Sequence, residues 1–202
     1  TEYLDANLAR LRRDAALARR HGLAPSLLCF EPRSVPETLL RKYPMLRGAR
    51  VDHPFRSLKP RYNLSTAHPA VRAHYAELVR RLLEAVPDLD CLEIWSNDSG
   101  AAFEHTSSLY AGRNGGAYLV REWRTPEQVA RAAGENMVAF LRTLRDAARE
   151  VNPDFRVVLR AEPFWAERAT LEAGLEEGLD LSVSTLLSDG WDLPYHHPSY
   201  PE

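Results

Sequence analysis

Four carboxylates in this chain stand where an apolar run gives way to small polar residues: Glu31, Asp98, Glu162 and Asp189. Asp98 is the most prominent. It follows Cys91-Leu-Glu-Ile-Trp95, whose residue types suit a strand covered on both faces, and it sits in Ser96-Asn-Asp-Ser-Gly100, which cannot continue one. Glu162 follows the apolar run from Phe155 to Ala161 and opens Glu162-Pro-Phe-Trp165. Two carboxyls on neighbouring strands could act on a glycosidic bond, which needs a protonated acid and a nucleophile or base about 5 to 9.5 Å apart, according to mechanism. Trp95, Trp165, Trp191 and Tyr195 stand at or just beyond the same boundaries, where rings can stack on the apolar face of a sugar. Plainer uses compete. Asp98 can close an Asx turn, Glu31 can pair with Arg33 or cap the next turn, and Trp95 suits core packing.

The elements that must carry these residues follow from periodicity. Leu4, Leu8, Leu11, Ala15 and Ala18 predict an amphipathic helix over 3–21, closed by Gly22. A short strand over 25–31 ends at Glu31. Ser34-Val-Pro-Glu37 reads as a capping box before a short helix over 36–43, and residues 48–65, without a clear period, read as a long loop. A helix from Pro69 leads to the strand over 90–96. The longest connection, 99–124, contains His105 and a Gly112-Arg-Asn-Gly-Gly116 run too weak to be a phosphate cradle. Thr125-Pro-Glu-Gln128 is a second capping box, opening a helix that ends near Asn152-Pro153. The strand over 155–161, a helix over 166–177 and a strand over 179–187 complete the series. Four strands, each preceded by a helix, imply βα units in a parallel sheet. With no glycine fingerprint after any strand and acidic residues at strand ends, the expected form is α/β, a partial (β/α)8 TIM-type barrel with outer helices. Because a closed barrel takes about 250 residues, the 202 present are expected to be one barrel domain that is a fragment of a larger barrel or multidomain protein.

Segments 21–37 (HGLAPSLLCFEPRSVPE), 43–48 (YPMLRG), 64–98 and the strand ending in AEPFW resemble, in order, TIM-barrel glycoside hydrolases, and most closely family-20 β-hexosaminidase-like barrels. That resemblance implies a hydrolase whose acidic pair leaves the strand ending at Trp95. Family 20 has Asp-Glu there, whereas here Ser99 follows Asp98; Asn97-Asp98 is also similar to the Asn-Glu pair of other barrel glycosidases, with aspartate for glutamate. The expected catalytic pair is Asp98 and Glu162, and the expected substrate-binding residues are Glu31, Asn97, His105, Trp165, Asp189 and Trp191.

A net charge of −2 with intermixed signs gives no footprint for nucleic acid and no polybasic membrane patch. No apolar stretch is long enough to span a bilayer. The basic run Arg10, Arg12, Arg13, Arg19 and Arg20 reads as a solvated helix face, and no signal segment is visible, which leaves the compartment open. Cys29 and Cys91, in strand patterns without redox or zinc spacing, read as small buried hydrophobes. No cofactor or metal is expected, and the expected partner is an oligosaccharide or polysaccharide. Two other readings stay open: a non-catalytic glycan-binding barrel, and a metal-dependent sugar isomerase or lyase drawing ligands from Glu31, Asp98, Glu162, His53, His68 and His105.

Overall fold

A computed structural model describes residues 2–52, 59–97, 100–107, 112–122 and 124–182. Its main sheet has four parallel strands, β1 (Ser26–Phe30), β5 (Cys91–Trp95), β6 (Arg156–Arg160) and β7 (Leu179–Ser182), in that spatial order. Order in space therefore follows order in the chain, with no reversal of the kind that makes the switch point of a doubly wound sheet. The intervening helices are α3 (Pro69–Ala85), α4 (Pro126–Arg149) and α5 (Arg168–Ala173), preceded by α1 (Glu2–Arg20). These strands and helices lie within a few residues of the sequence expectation. The predicted continuation of β7 beyond Ser182 lies outside the described residues.

Strand alternation divides the sheet into two unlike faces. Leu92, Ile94, Val157, Leu159 and Leu179 are buried against the helices, joined by Leu83, Val86, Met137 and Leu144. The other face carries Phe30, Glu93, Trp95, Arg160 and Asp180, all half-buried. α3 and α4 pack on each other through Tyr75 and Phe140, whose rings meet edge-to-face at 4.9 Å. Phe140 also meets Phe103 at 5.7 Å, and Phe103 meets Phe164 at 6.0 Å. This relay of rings runs from the helices into the segments that leave β5 and β6. Proline at the start of α3 and α4 fits positions where a backbone N–H would lack a partner. Thr125 and Gln128 form the expected capping box, and His68 Nδ1 caps α3 by accepting from Ala70 N–H at 3.2 Å.

Residues 48–65 are not one long loop. They contribute to a three-stranded antiparallel sheet of β2 (Ser34–Val35), β4 (Arg61–Leu64) and β3 (Arg47–Val51), in that order. Ser34 accordingly pairs with Asn63 instead of capping a helix, and α2 (Glu37–Lys42) starts from Pro36 without a side-chain cap. Hydrophobic alternation did not betray this sheet because Gly48, Ala49 and Asn63 occupy three of its five buried positions, leaving only Val51 and Leu64 as large apolar ones. Asn63 is held there by donating from Nδ2 to the carbonyls of Pro32, at 3.1 Å, and Ala102.

Cys29 and Cys91 are both free. Cys29 pairs across β1/β5 with Ile94 and Cys91 with Ser26, so the two thiols occupy opposite faces of the sheet and cannot bridge. Both are half-buried rather than fully enclosed, and burial pushes the Cys29 thiol up to about 11.

Candidate functional site at the carboxyl edge of the parallel sheet

All four parallel strands end on the same edge, and Glu31, Asn97 and Glu162 lie just past the ends of β1, β5 and β6. The pair Ile94–Leu159 fixes the β5/β6 register, and Asn97 and Glu162 each stand three residues beyond it. The edge continues across the sheet through Glu31 N–H, which donates to the carbonyl of Trp95 at 3.2 Å.

Glu162 belongs to the side of the open face. Its Oε1 accepts from Arg160 Nη2 at 3.2 Å. The Arg160 guanidinium lies over the Trp95 ring, 4.2 Å from its centroid, and its Nε is 3.8 Å from Glu93 Oε1. Trp95 in turn stacks on Phe30 at 5.2 Å with an interplanar angle of 24°. Phe30, Trp95 and Arg160 thus form a row across three strands, with two glutamates on the arginine. Cation–π contact and ion pairing fix the guanidinium together, so Glu162 is presented from a rigid element. Trp165, three residues further on, is 45% exposed, whereas the Glu162 side chain is only 11% exposed.

Glu31 is directed elsewhere. Its Oε2 accepts from the Tyr75 hydroxyl of α3 at 2.8 Å and from Arg33 N–H at 2.8 Å, which puts its side chain toward the helices and makes it the cap of the following turn. Burial raises the Glu31 pKa, and the bonds from Tyr75 and Arg33 oppose that rise. The structure therefore does not join Glu31 to Glu162 through any contact among the described residues.

Asn97 is buried and adopts φ 59°, a left-handed conformation that asparagine tolerates better than most residues. Its Nδ2 donates to Thr106 Oγ1 at 3.2 Å and to the Ser107 carbonyl, so its amide ties the start of the segment leaving β5 to a point nine and ten residues along it. His105, also at φ 59°, donates from Nε2 to the Gly116 carbonyl at 3.3 Å. Burial lowers its pKa, and the nearby Arg113 charge adds to that. Asp98, Asp189 and Trp191, with Tyr195 and His53, lie outside the described residues.

Three charged residues of this region carried no expectation from sequence. Glu104 is buried, accepting from the Ser65 hydroxyl at 2.8 Å and from Gly116 N–H at 3.1 Å. Burial raises its pKa, opposed by those bonds and by the Thr66 and Ala67 amides. Arg113 donates to the His105 carbonyl, to Ser107 Oγ at 3.2 Å and to Glu167 Oε1 at 3.0 Å. The Glu167 side chain is fully buried, and burial raises its pKa against the opposing charge of Arg113. Arg160 did leave a trace: a charged residue at an alternate position of an otherwise apolar strand, where period two points it away from Leu159. Arg113 sits in the glycine run, whose glycines answer to close packing. A Cβ on Gly115 would lie 2.5 Å from the His105 ring, and one on Gly116 would lie 2.0 Å from the Arg47 carbonyl oxygen.

Among the described residues no three His, Cys, Asp or Glu side chains are grouped to hold a metal ion. Of the histidines offered as ligands, His68 is committed to capping α3 and His105 to Gly116. No helix of the described residues is long and apolar enough to cross a membrane.

No known protein-family model matches the sequence, and no curated relative matches it. Among solved structures, the α-galactosidase from Lactobacillus brevis is similar over 86% of this chain and 24% of its own, with 15% identity and a TM-score of 0.42. A variant of the GH36 α-galactosidase AgaA from Geobacillus stearothermophilus, in complex with stachyose, is similar over 95% of this chain and 27% of its own, with 14% identity and a TM-score of 0.42. The chain thus spans about a quarter of the length of these proteins. Likeness at this level assigns neither family nor activity.

Proposed function

We propose that this chain is part of a (β/α) barrel of glycoside hydrolase-like, carbohydrate-active type, in which Asp98 and Glu162 supply the two carboxyl groups that act on a glycosidic bond. The observation that supports this most is the presentation of Glu162. It stands past the end of β6, bonded to an arginine that is itself packed on Trp95, with the exposed Trp165 three residues away. A carboxylate on a rigid strand end, with an accessible indole on the same connection, is the kind of pairing that sugar binding and glycosidic chemistry use. The strand order, which follows the chain, suits a sheet that curls into a barrel.

In this reading Asp98 is the general acid that protonates the leaving oxygen, and Glu162 is the nucleophile or the base that activates water. Trp165, Asp189 and Trp191 complete the sugar-binding set. Glu31, Asn97 and His105, engaged with the protein's own groups, shape the mouth around it. The finer assignment, a family-20-like barrel within a longer protein, rests on the segments between His21 and Trp165. Because Ser99 follows Asp98, that family's Asp-Glu mechanism is not carried over.

The test is hydrolysis of a panel of aryl glycosides by the full-length protein and its Asp98→Asn variant. Turnover is expected to fall by about a hundredfold or more, with melting temperature unchanged because the substitution is nearly isosteric. Equal rates would remove Asp98 from the chemistry. Absence of hydrolysis on every glycoside, with glycan binding retained, would select the non-catalytic barrel instead.

A further inference from the structure

The segment leaving β5 and the segment leaving β6 are joined by one buried ion pair. Glu167 belongs to the β6–α5 connection, five residues after Glu162, and its side chain is 0% exposed. Arg113 belongs to the β5–α4 connection and reaches Glu167 Oε1 at 3.0 Å. The same guanidinium holds the His105 carbonyl and Ser107 Oγ, and the Ser107 carbonyl receives the Asn97 side-chain amide. An unbroken series of polar contacts therefore runs from Asn97, at the end of β5, through Ser107 and Arg113 to Glu167. Phe103 against Phe164 is a second, apolar join between the same two segments.

Other groups in this region are tied down independently. Glu104 is held by Ser65 and Gly116, and Asn63 by Pro32 and Ala102, whether or not Arg113 is in place. What Arg113 and Glu167 add is the only side-chain ion pair among the described residues that links the two connections. Arg113 is the one ion-pair partner of the fully buried Glu167 carboxylate among the described residues, so removing the guanidinium leaves that charge buried without a counter-ion.

We propose that Arg113 and Glu167 are positioning residues, a latch that sets the β5–α4 connection against the β6–α5 connection and so fixes Asn97 relative to Glu162. The consequence for catalysis rests on the glycosidase reading, whereas the latch itself does not. Neither residue touches substrate in this account. They act through the backbone at His105 and Ser107.

The experiment uses the full-length protein and the variants Glu167→Gln, Arg113→Gln, Arg113→Lys and the double variant Arg113→Gln/Glu167→Gln. Amide hydrogen exchange is followed at Thr106 and Ser107, with Val79 of α3 and Leu144 of α4 as reference amides. Each glutamine variant is expected to speed exchange at Thr106 and Ser107 by about tenfold or more, with the reference amides unchanged. The double variant should do no more than the stronger single one, because both remove the same bond, and Arg113→Lys should recover part of the protection. Unchanged exchange at Thr106 and Ser107, additive singles, or an equal rise at Val79 and Leu144 would overturn the latch. Should Glu167→Gln fail to fold, Arg113→Gln, on the more exposed partner, decides the outcome alone. Turnover is measured alongside: the latch predicts a fall in kcat with KM little changed. Loss of local protection with no hydrolysis by any form of the protein would leave the latch standing and sink the glycosidase reading. Intact turnover with lost protection would overturn the positioning role.

Discussion

Three glutamates near the carboxyl edge share one side-chain chemistry and meet different surroundings. Glu162 faces a guanidinium, Glu104 a nest of amides and a hydroxyl, and Glu31 a tyrosine hydroxyl and one amide. Glu31 gives the clearest pH consequence. Its pKa is raised above the ordinary 4.5 chiefly by burial, so in the window starting at about pH 4.5 the folded state binds more protons than the unfolded one. Its contribution to stability is then fully present below that window and is lost as pH rises through the folded pKa. Glu31→Gln, which keeps a carbonyl oxygen for Tyr75 and Arg33, should remove this dependence. Denaturant unfolding from pH 4 to pH 7 is expected to show the wild-type protein losing stability relative to the variant as pH rises, and parallel curves would refute the assignment. Sequence did disclose that Glu31 stands at a strand end and can cap the next turn. That it faces α3 was hidden, because the partner, Tyr75, lies 44 residues away.

At the scale of elements, the parallel strands and long helices were legible because their signals are local. Apolar runs bounded by polar residues and a capping box at Thr125 need no knowledge of the rest of the chain. The antiparallel sheet was not, since three of its five buried positions are filled by Gly48, Ala49 and Asn63, types that advertise turns or nothing at all. It is tied to distant segments, among them the 112–116 connection, where Asn114 bonds the backbone of Arg50. Gly116 passes so close to β3 that a methyl group would overlap the Arg47 carbonyl. Gly116→Ala should therefore destabilise the protein by about 1–3 kcal/mol, the range for overpacking a tight site, and disturb amide signals of Arg47 and Gly48 more than those of α4. A melting temperature equal to wild type would show that this connection can move aside freely. The ends of β5 and β6 were readable as site-bearing, while the fastening of their connections by Arg113 and Glu167 was not, since it spans 54 residues of sequence.

For the molecule as a whole, the relay of rings does what the sheet alone cannot. Tyr75, Phe140, Phe103 and Phe164 connect the helical layer to both segments at the carboxyl edge. Phe140 is fully buried at the centre of that relay, so Phe140→Ala should cost about 3–5 kcal/mol. The loss should appear as one cooperative transition at lower denaturant concentration, whereas two separated transitions would mean that helices and edge unfold independently. The strand order described earlier has a further consequence. Among the described residues, β5 and β6 are each hydrogen-bonded to the parallel strand made just before and to the one made just after, and β1 and β7 to one such neighbour each. Coupling within the sheet is thus between nearest neighbours along a line, as in a repeat array. Among the described residues, a disturbance at β7 reaches β1 through the sheet only by way of β6 and β5, so its effect on pairing should fade strand by strand.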